Sequence, residues 1–344
     1  MAQPLRIVVV GGGIVGSSIA MQVAQHPGIK ERRHQVVLLE SGTGPGKAVT
    51  ARSWAWLNAQ KKNPQHYRDL TLHSLEEWKS RYPSLVHNCG ALVFQDPLPS
   101  TEDPVYPCRF ISGAEVQALE PSVSSGTAAA GAHLYEQEAW VDPRAASEHF
   151  MACALQSGAE IRYSEVVTSL EVEHDPHSTE QADPTVHRPG HSGAPASSVT
   201  GVRTASGGHF PADIVVLAAG TACVALAAQA SVNVPLLDKP AVVAVARIPS
   251  LPHEMPPASG LSQPNQLQHM LSTPEVFILQ RPDGSYLLGD PAGTAQHVMS
   301  DLQAAGSRLV AEEVVMGVEQ QQLSHYRPDR EFVDRGAYGW LKKS

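Results

Sequence analysis

The chain has no apolar run of the roughly 18 residues that a membrane-spanning helix needs. Its N-terminus lacks the pattern of a cleavable signal, because the first apolar run is broken by glycines and itself begins the fold. Cysteine is sparse. Cys89, Cys108, Cys153 and Cys223 lie far apart and form no C-x-x-C pair. That argues against a disulfide framework and a cysteine-based metal centre, and points to reduced thiols in a cytoplasmic, cytosol-like compartment, with organelle import left open. Positive charge is in deficit, with 25 Lys and Arg against 34 Asp and Glu and a net charge of −9, so a general nucleic-acid binder is disfavoured. Metal ligation by histidine is not expected. His174, His177, His187 and His191 fall in a stretch rich in proline, glycine and serine, and Pro189 and Gly190 prevent a helix from aligning the last two. The segment of about 174–199 reads as a disordered insertion. Gly42 to Lys47 lacks the P-loop spacing, and Ala48 stands where a Ser or Thr must hold magnesium.

What the chain does have is concentrated in its first forty residues. Ile7-Val8-Val9-Val10 leads into Gly11-Gly12-Gly13-Ile14-Val15-Gly16, and a second apolar run, Val36 to Leu39, ends in Glu40. Strand, glycine turn, helix, strand and acid is the order that seats the pyrophosphate of a dinucleotide on a helix N-terminus. Gly11 permits the turn, Gly13 lets the backbone approach phosphates, and Gly16 lets the helix pack closely. The N–H groups around Ile14 and Val15, with the positive end of the helix dipole, face the anion. The Glu40 carboxylate can accept from both hydroxyls of a ribose and repels a ribose phosphate, which argues against NADP.

At 344 residues the chain has room for one large or two ordinary domains. The pattern predicts a helix over 65–82 ended by Pro83, a strand at 91–94, and a capping box at Ser112 and Glu115 opening a helix to Leu119. Val141-Asp142-Pro143 precedes a helix of about fifteen residues closed by Gly158. Strands are expected at 159–163, 166–172, 199–204 and 214–217. The second half predicts a strand over 241–248, a loop over 249–270, a hairpin of 276–280 and 286–289 about Pro282-Asp283-Gly284, and a last helix near 301–315.

With these segments placed, the chain resembles the FAD-dependent oxidoreductases of the D-amino-acid oxidase, glycine oxidase and sarcosine oxidase superfamily. The resemblance spans about 5–290. The glycine motif and Glu40 match the FAD fingerprint, Thr50-Ala51-Arg52-Ser53 falls at the family's loop over the pyrophosphate, and Leu119-Glu120-Pro121 and Val141-Asp142-Pro143 match recurrent tripeptides. Gly158 to Ile161 with Val167 matches the strand pair at the adenine, and Ala212 to Gly220 matches the closing Ala-Ala-Gly. The resemblance implies an α/β fold (α+β mixed), with a Rossmann-like FAD-binding domain built from discontinuous segments and a mixed-sheet substrate domain. The corresponding division is 1–85 and 141–235 for the FAD domain, 86–140 and 236–300 for the substrate domain, and 301–344 as a helix and atypical tail. The family's usual end is expected to be missing after Tyr326-Arg327-Pro328-Asp329, by roughly forty to fifty residues against an ordinary two-domain layout.

The resemblance implies FAD as cofactor and hydride transfer from the C–N bond of an amino acid or secondary amine, with oxygen or another electron acceptor closing the cycle. The implied cofactor-binding residues are Gly11, Gly13, Ile14, Val15, Gly16, Glu40, Ser41, Arg52, Ser53, Val167, Ala219 and Gly220. Trp54, Trp56 and Asn58 are candidates for the flavin and substrate pocket, or plugs between domains. Arg281 is a candidate for a substrate carboxylate, or a surface arginine on an edge strand. A hydroxy-acid oxidase and a catalytically impaired flavin-binding protein are the alternatives. An NAD-dependent dehydrogenase is disfavoured by the long, discontinuous spacing from Glu40 to Val167 and Gly220.

Overall fold

A computed structural model describes residues 4–94, 103–174, 197–236, 243–247, 267–274 and 276–289. The expected helix at 301–315, the Tyr326–Asp329 stretch, the atypical tail and most of the insertion lie outside these residues.

The first apolar runs become a parallel sheet. Its strands stand in the order Ile214–Leu217, Arg6–Val10, Gln35–Glu40, Glu160–Tyr163, and every pairing is parallel. Strands buried on both faces read as continuous Val, Ile and Leu, as these do. The helix Ile14–Gln25 follows the first strand. The helix Pro143–Gln156 is capped by Asp142, whose Oδ1 accepts the N–H groups of Arg144 at 2.9 Å and Ala145 at 3.0 Å. Ile14, Ile19, Met21 and Val23 share a buried core with Phe150, Met151 and Ala154 of that second helix, and Trp78 of the helix Gln65–Arg81 completes it.

A three-stranded antiparallel meander, Val167–His174, Ser197–Thr204 and His209–Pro211, lies next in the chain. Its strands trim the expected insertion at both ends. His174 pairs with Ser197, because the ladder continues while backbone partners remain.

A seven-stranded mixed sheet runs in the order Val243–Ala246, Tyr286–Gly289, Phe277–Gln280, Met270–Ser272, Ala91–Val93, Ala132–Tyr135, Arg109–Ile111. Its single parallel pairing joins Met270–Ser272 to Ala91–Val93, and thus two chain regions far apart in sequence. The expected loop over 249–270 therefore gives way to a strand at Met270, held between two neighbours.

A small sheet, Trp56–Leu57, Ala139–Val141 and Val86–Asn88, lies between these layers in the chain path. Residues 41–64, expected as loop, supply its first strand and the short 3-10 turn Thr50–Arg52. Trp140 is the direct partner of both Trp56 and His87, so the three rings form one row on one face.

Candidate functional site

The glycine turn is built by steric exclusion. Gly11 has φ +104°, and a Cβ there would lie 2.5 Å from the Ala218 carbonyl oxygen on the neighbouring strand's exit. A Cβ on Gly16 would lie 1.9 Å from the carbonyl oxygen of Gly11, so the helix starts directly against the turn. Gly13 is the N-cap and makes no side-chain cap bond. A Cβ on it would meet only the Thr50 hydroxyl, at 3.1 Å. A twelve-residue helix thus opens with backbone donors and little side-chain cover, which is the cradle an anion needs.

Glu40 closes one side of this cradle. Its Oε2 accepts the Gly12 N–H at 2.6 Å and its Oε1 accepts the Gly42 N–H at 2.6 Å, with the Ser41 hydroxyl donating at 3.3 Å. An ionised carboxylate has about four lone-pair sites. Two donors already meet Oε1 and one meets Oε2, so a spare site remains on Oε2 for a hydroxyl donor. Thr50 closes the other side, with its hydroxyl accepting the Ile14 N–H at 3.1 Å. Gly12 and Thr50 carry no weight in a reading of the glycine motif alone. Thr50 enters only as the first residue of the Thr50–Ser53 loop that the resemblance sets over the pyrophosphate.

The remaining cofactor candidates fall around the same edge. Arg52 is exposed and Ser53 half-buried, and Ser53 Oγ accepts the Ala55 N–H at 3.1 Å. Val167 opens the meander and packs on the apolar cluster that includes Val8, Val10 and Leu39. The Ala219 N–H is taken by the Cys223 thiol at 3.2 Å, and Gly220 is exposed with φ +60° and open space where a Cβ would stand. These residues fit a dinucleotide laid along the strand ends with its pyrophosphate at Gly13.

Trp54, Trp56 and Asn58 follow the Thr50 turn directly, and all three are at most 5% exposed. The Trp54 indole lies flush on the backbone of Gly289, where an added Cβ would meet Nε1 at 1.9 Å. Trp54 and Trp56 both meet the Phe277 ring edge-on, at 5.9 and 5.4 Å between centroids. They are packed against the seven-stranded sheet. Asn58 differs, because its Oδ1 is buried with no hydrogen-bond partner among the described residues. A buried carbonyl without a donor carries a desolvation cost of roughly 1–3 kcal/mol that a ligand N–H or O–H relieves.

Arg281 stands apart from that group. It lines an open hollow of about 330 Å³ with His87, Asn88, Cys89, Trp140, Gln268 and Gln280. Trp140 and His87 form one wall, stacked 4.1 Å apart at 9°. Burial lowers the His87 pKa and raises that of the Cys89 thiol to about 11. Arg281 is the one Lys or Arg among the residues that line it.

One residue that the sequence did not single out is fully buried between these places. Glu138 Oε2 accepts Trp56 Nε1–H at 2.8 Å, and its Oε1 accepts from Gln60 Nε2 and the Tyr106 hydroxyl, each at 3.1 Å. Burial outweighs the three donors and the nearby Lys62 and pushes the carboxyl up to about 8. Among the described residues no group of three or more His, Cys, Asp or Glu is placed to hold a metal ion, and no helix is long and apolar enough to cross a membrane.

The sequence profile of the family described as FAD dependent oxidoreductase matches residues 6–339. Several solved structures share the fold at low identity. Glycine oxidase from Geobacillus kaustophilus is 18% identical, with a TM-score of 0.56 over 83% of this chain and 71% of that one. L-proline dehydrogenase from P. horikoshii is 16% identical, with a TM-score of 0.65 over 96% and 98%. L-alpha-glycerophosphate oxidase from Mycoplasma pneumoniae, solved with FAD bound, is 16% identical, with a TM-score of 0.54 over 84% and 71%. A search of curated proteins returns no significant match. The chain belongs to the FAD-dependent oxidoreductase family, and its cofactor is FAD.

Proposed function

We propose that this FAD-dependent oxidoreductase oxidises the C–N bond of an amino acid or secondary amine. The observation that carries the reading is Asn58 Oδ1, a buried acceptor with no donor among the described residues, in the segment that leaves the dinucleotide cradle. An amine presents the N–H such an acceptor needs. Its placement beside Trp54 and Trp56 supports a dry, apolar surround for the reacting carbon. Arg281, in a hollow apart from Asn58, offers with the Gln268 and Gln280 amides the charge and hydrogen-bonding groups that suit the carboxylate of an arriving amino acid. The names of two structural neighbours, glycine oxidase and L-proline dehydrogenase, point to the same substrate class.

FAD, when bound, supplies the hydride acceptor. In this reading the residues divide the remaining work. Gly13, Val15 and Gly16 offer backbone N–H groups to the pyrophosphate beside Ile14, whose N–H the Thr50 hydroxyl takes, and Glu40 takes a ribose hydroxyl on the spare lone pair of Oε2. Ser41, Arg52, Ser53, Val167, Ala219 and Gly220 border the cofactor. Trp54 and Trp56 exclude water, and Asn58 orients a donor. Oxygen or another acceptor completes the turnover.

A second reading, oxidation of a hydroxy acid or polyol, is favoured by the likeness to the glycerophosphate oxidase. One experiment separates the two. The purified chain is loaded with FAD, its visible spectrum recorded, and bleaching of the flavin band followed anaerobically with amino acids, secondary amines, hydroxy acids and glycerol 3-phosphate. Bleaching by amines alone is the expected result. Bleaching only by hydroxyl substrates would replace the first reading with the second.

A further inference from the structure

Glu138 occupies an unusual place in the chain path. Residues 136–138 join Ala132–Tyr135 of the seven-stranded sheet to Ala139–Val141 of the small sheet. Gly90 lies at the other crossing, between Val86–Asn88 and Ala91–Val93. The two crossings are tied by the Gly90 N–H, which donates to the Glu138 carbonyl oxygen at 2.9 Å, and Lys79 Nζ donates to the neighbouring Gln137 carbonyl at 2.5 Å. The backbone at Glu138 is therefore fixed independently of its side chain.

The side chain, 0% exposed, reaches across to a different part of the molecule. Its donors come from Trp56 and Gln60, which flank Asn58 in sequence, and from Tyr106 on a third segment. Lys62 and Lys79 face it with positive charge, and Cys89 and Tyr135 also lie within its field. A packed hydrophobic residue would fill this space without burying a carboxylate. What the carboxylate adds is direction, since it fixes the Trp56 ring and the Gln60 amide on either side of Asn58.

We propose that Glu138 is a positioning residue for the reaction: anchored at the crossing between two sheets, it holds the Trp54–Asn58 segment in place through Trp56 and Gln60. The inference rests on the reading that this segment borders the flavin and substrate. Glu138 itself touches neither. Asn58, carried between the two anchored residues, receives its placement from them.

The test uses the full chain and three variants, Glu138→Leu, Glu138→Met and Glu138→Gln. Hydrogen exchange is followed in the FAD-free protein for residues 53–60, with the helix 143–156 as an internal control. Kinetics with the amine substrate are measured on the FAD-loaded protein. Glu138→Leu is expected to speed exchange at 53–60 about tenfold, leave the control helix unchanged, and lower kcat about a hundredfold with little change in KM, as a misplaced reacting group does. Glu138→Gln restores exchange and most of kcat, because its amide oxygen can accept from Trp56 while its NH2 donates to the Tyr106 oxygen and, once the Gln60 amide turns over, to Gln60 Oε1. Glu138→Met, which lacks the acceptors but fills the space with a flexible chain, shows the same local change, so the test stands even if Glu138→Leu fails to fold. Unchanged exchange at 53–60 in the variants that fold, or faster exchange in equal measure across the control helix, would overturn the proposal. If the wild type oxidised no amine, the substrate reading would fall, and the exchange data would decide the role of Glu138 on their own.

Discussion

The carbonyl oxygen of Gly11 stands 1.9 Å from the point where a Cβ on Gly16 would lie. No side chain fits there unless the turn or the helix moves. Gly16→Ala is therefore expected to destabilise the chain by about 1–3 kcal/mol, as overpacking does, and to weaken FAD binding by displacing the first-turn N–H groups. Urea unfolding and FAD titration check the two effects separately. An unchanged midpoint with unchanged affinity would show that the turn accommodates a methyl group.

Glu40 is expected to matter twice. It holds the Gly12 and Gly42 N–H groups at 2.6 Å each, and in the proposed site it also takes a ribose hydroxyl. Hydrogen bonds to a charged group contribute roughly 1.5–3 kcal/mol. Glu40→Ala should then weaken FAD at least about tenfold, measured by quenching of flavin fluorescence. Glu40→Gln keeps an acceptor but lets only one loop amide and part of the ribose be served, and should fall between.

The buried Glu138 carboxyl gives a pH dependence of definite sign. Its folded value is raised from the ordinary 4.5 to about 8, so the folded state binds the proton more tightly than the unfolded chain does. Its contribution to stability is complete below about pH 4.5 and is lost as the pH rises through about 8. Subtracting the urea-unfolding free energies of Glu138→Gln from those of wild type across pH 5–9 should leave a falling curve that levels off above pH 8. A flat difference would mean that the carboxyl titrates normally.

Arg281 is expected to act on substrate and not on cofactor. Losing a charged hydrogen bond to a carboxylate should raise KM about ten- to a hundredfold in Arg281→Gln, from roughly 1.5–3 kcal/mol of interaction. FAD affinity should stay at the wild-type value. Steady-state kinetics with an amino acid and with the matching amine that lacks a carboxylate provide the check, since only the amino acid should be affected.

All four cysteines are free. Burial raises the Cys89 thiol to about 11, so it should resist a thiol reagent at pH 8 in the folded protein. Counting reactive thiols before and after unfolding gives the result: four in the unfolded chain, with Cys89 absent from the fast-reacting set of the native one.

Local chemistry made some elements legible in advance. The Ser112–Glu115 capping box appears in the structure with Ser112 N–H to Glu115 Oε2 at 2.8 Å and the reciprocal bond at 3.3 Å. The helix after Asp142 and the strands of the parallel sheet are equally plain, because their signals lie within a few residues of one another. Trp56–Leu57 and Val86–Asn88 were not legible. Strands of two and three residues are too short to show a period, and they exist because Ala139–Val141 lies between them. At the candidate site Asn58 stood out as the polar residue that follows two closely spaced tryptophans, Trp54 and Trp56. Glu138 did not, since its three donors lie 32 to 82 residues away in the chain. Glu136 and Gln137 stand beside it in a polar turn between Tyr135 and Trp140, so nothing local marks Glu138 as the buried one.

The parallel seam between Ala91–Val93 and Met270–Ser272 sets an order of assembly. As the chain leaves the ribosome, Ala91–Val93 can pair early with Ala132–Tyr135, but its partner on the other side, Met270–Ser272, is made long afterwards. For that interval Ala91–Val93, all three residues of it buried in the finished sheet, is an uncovered edge. Pairing across so long a stretch of chain is slow, because loop closure precedes the contacts that reward it. The nascent protein is thus expected to depend on holdase chaperones until residue 289 has emerged, and a pause in translation before that point should raise the fraction lost to aggregation.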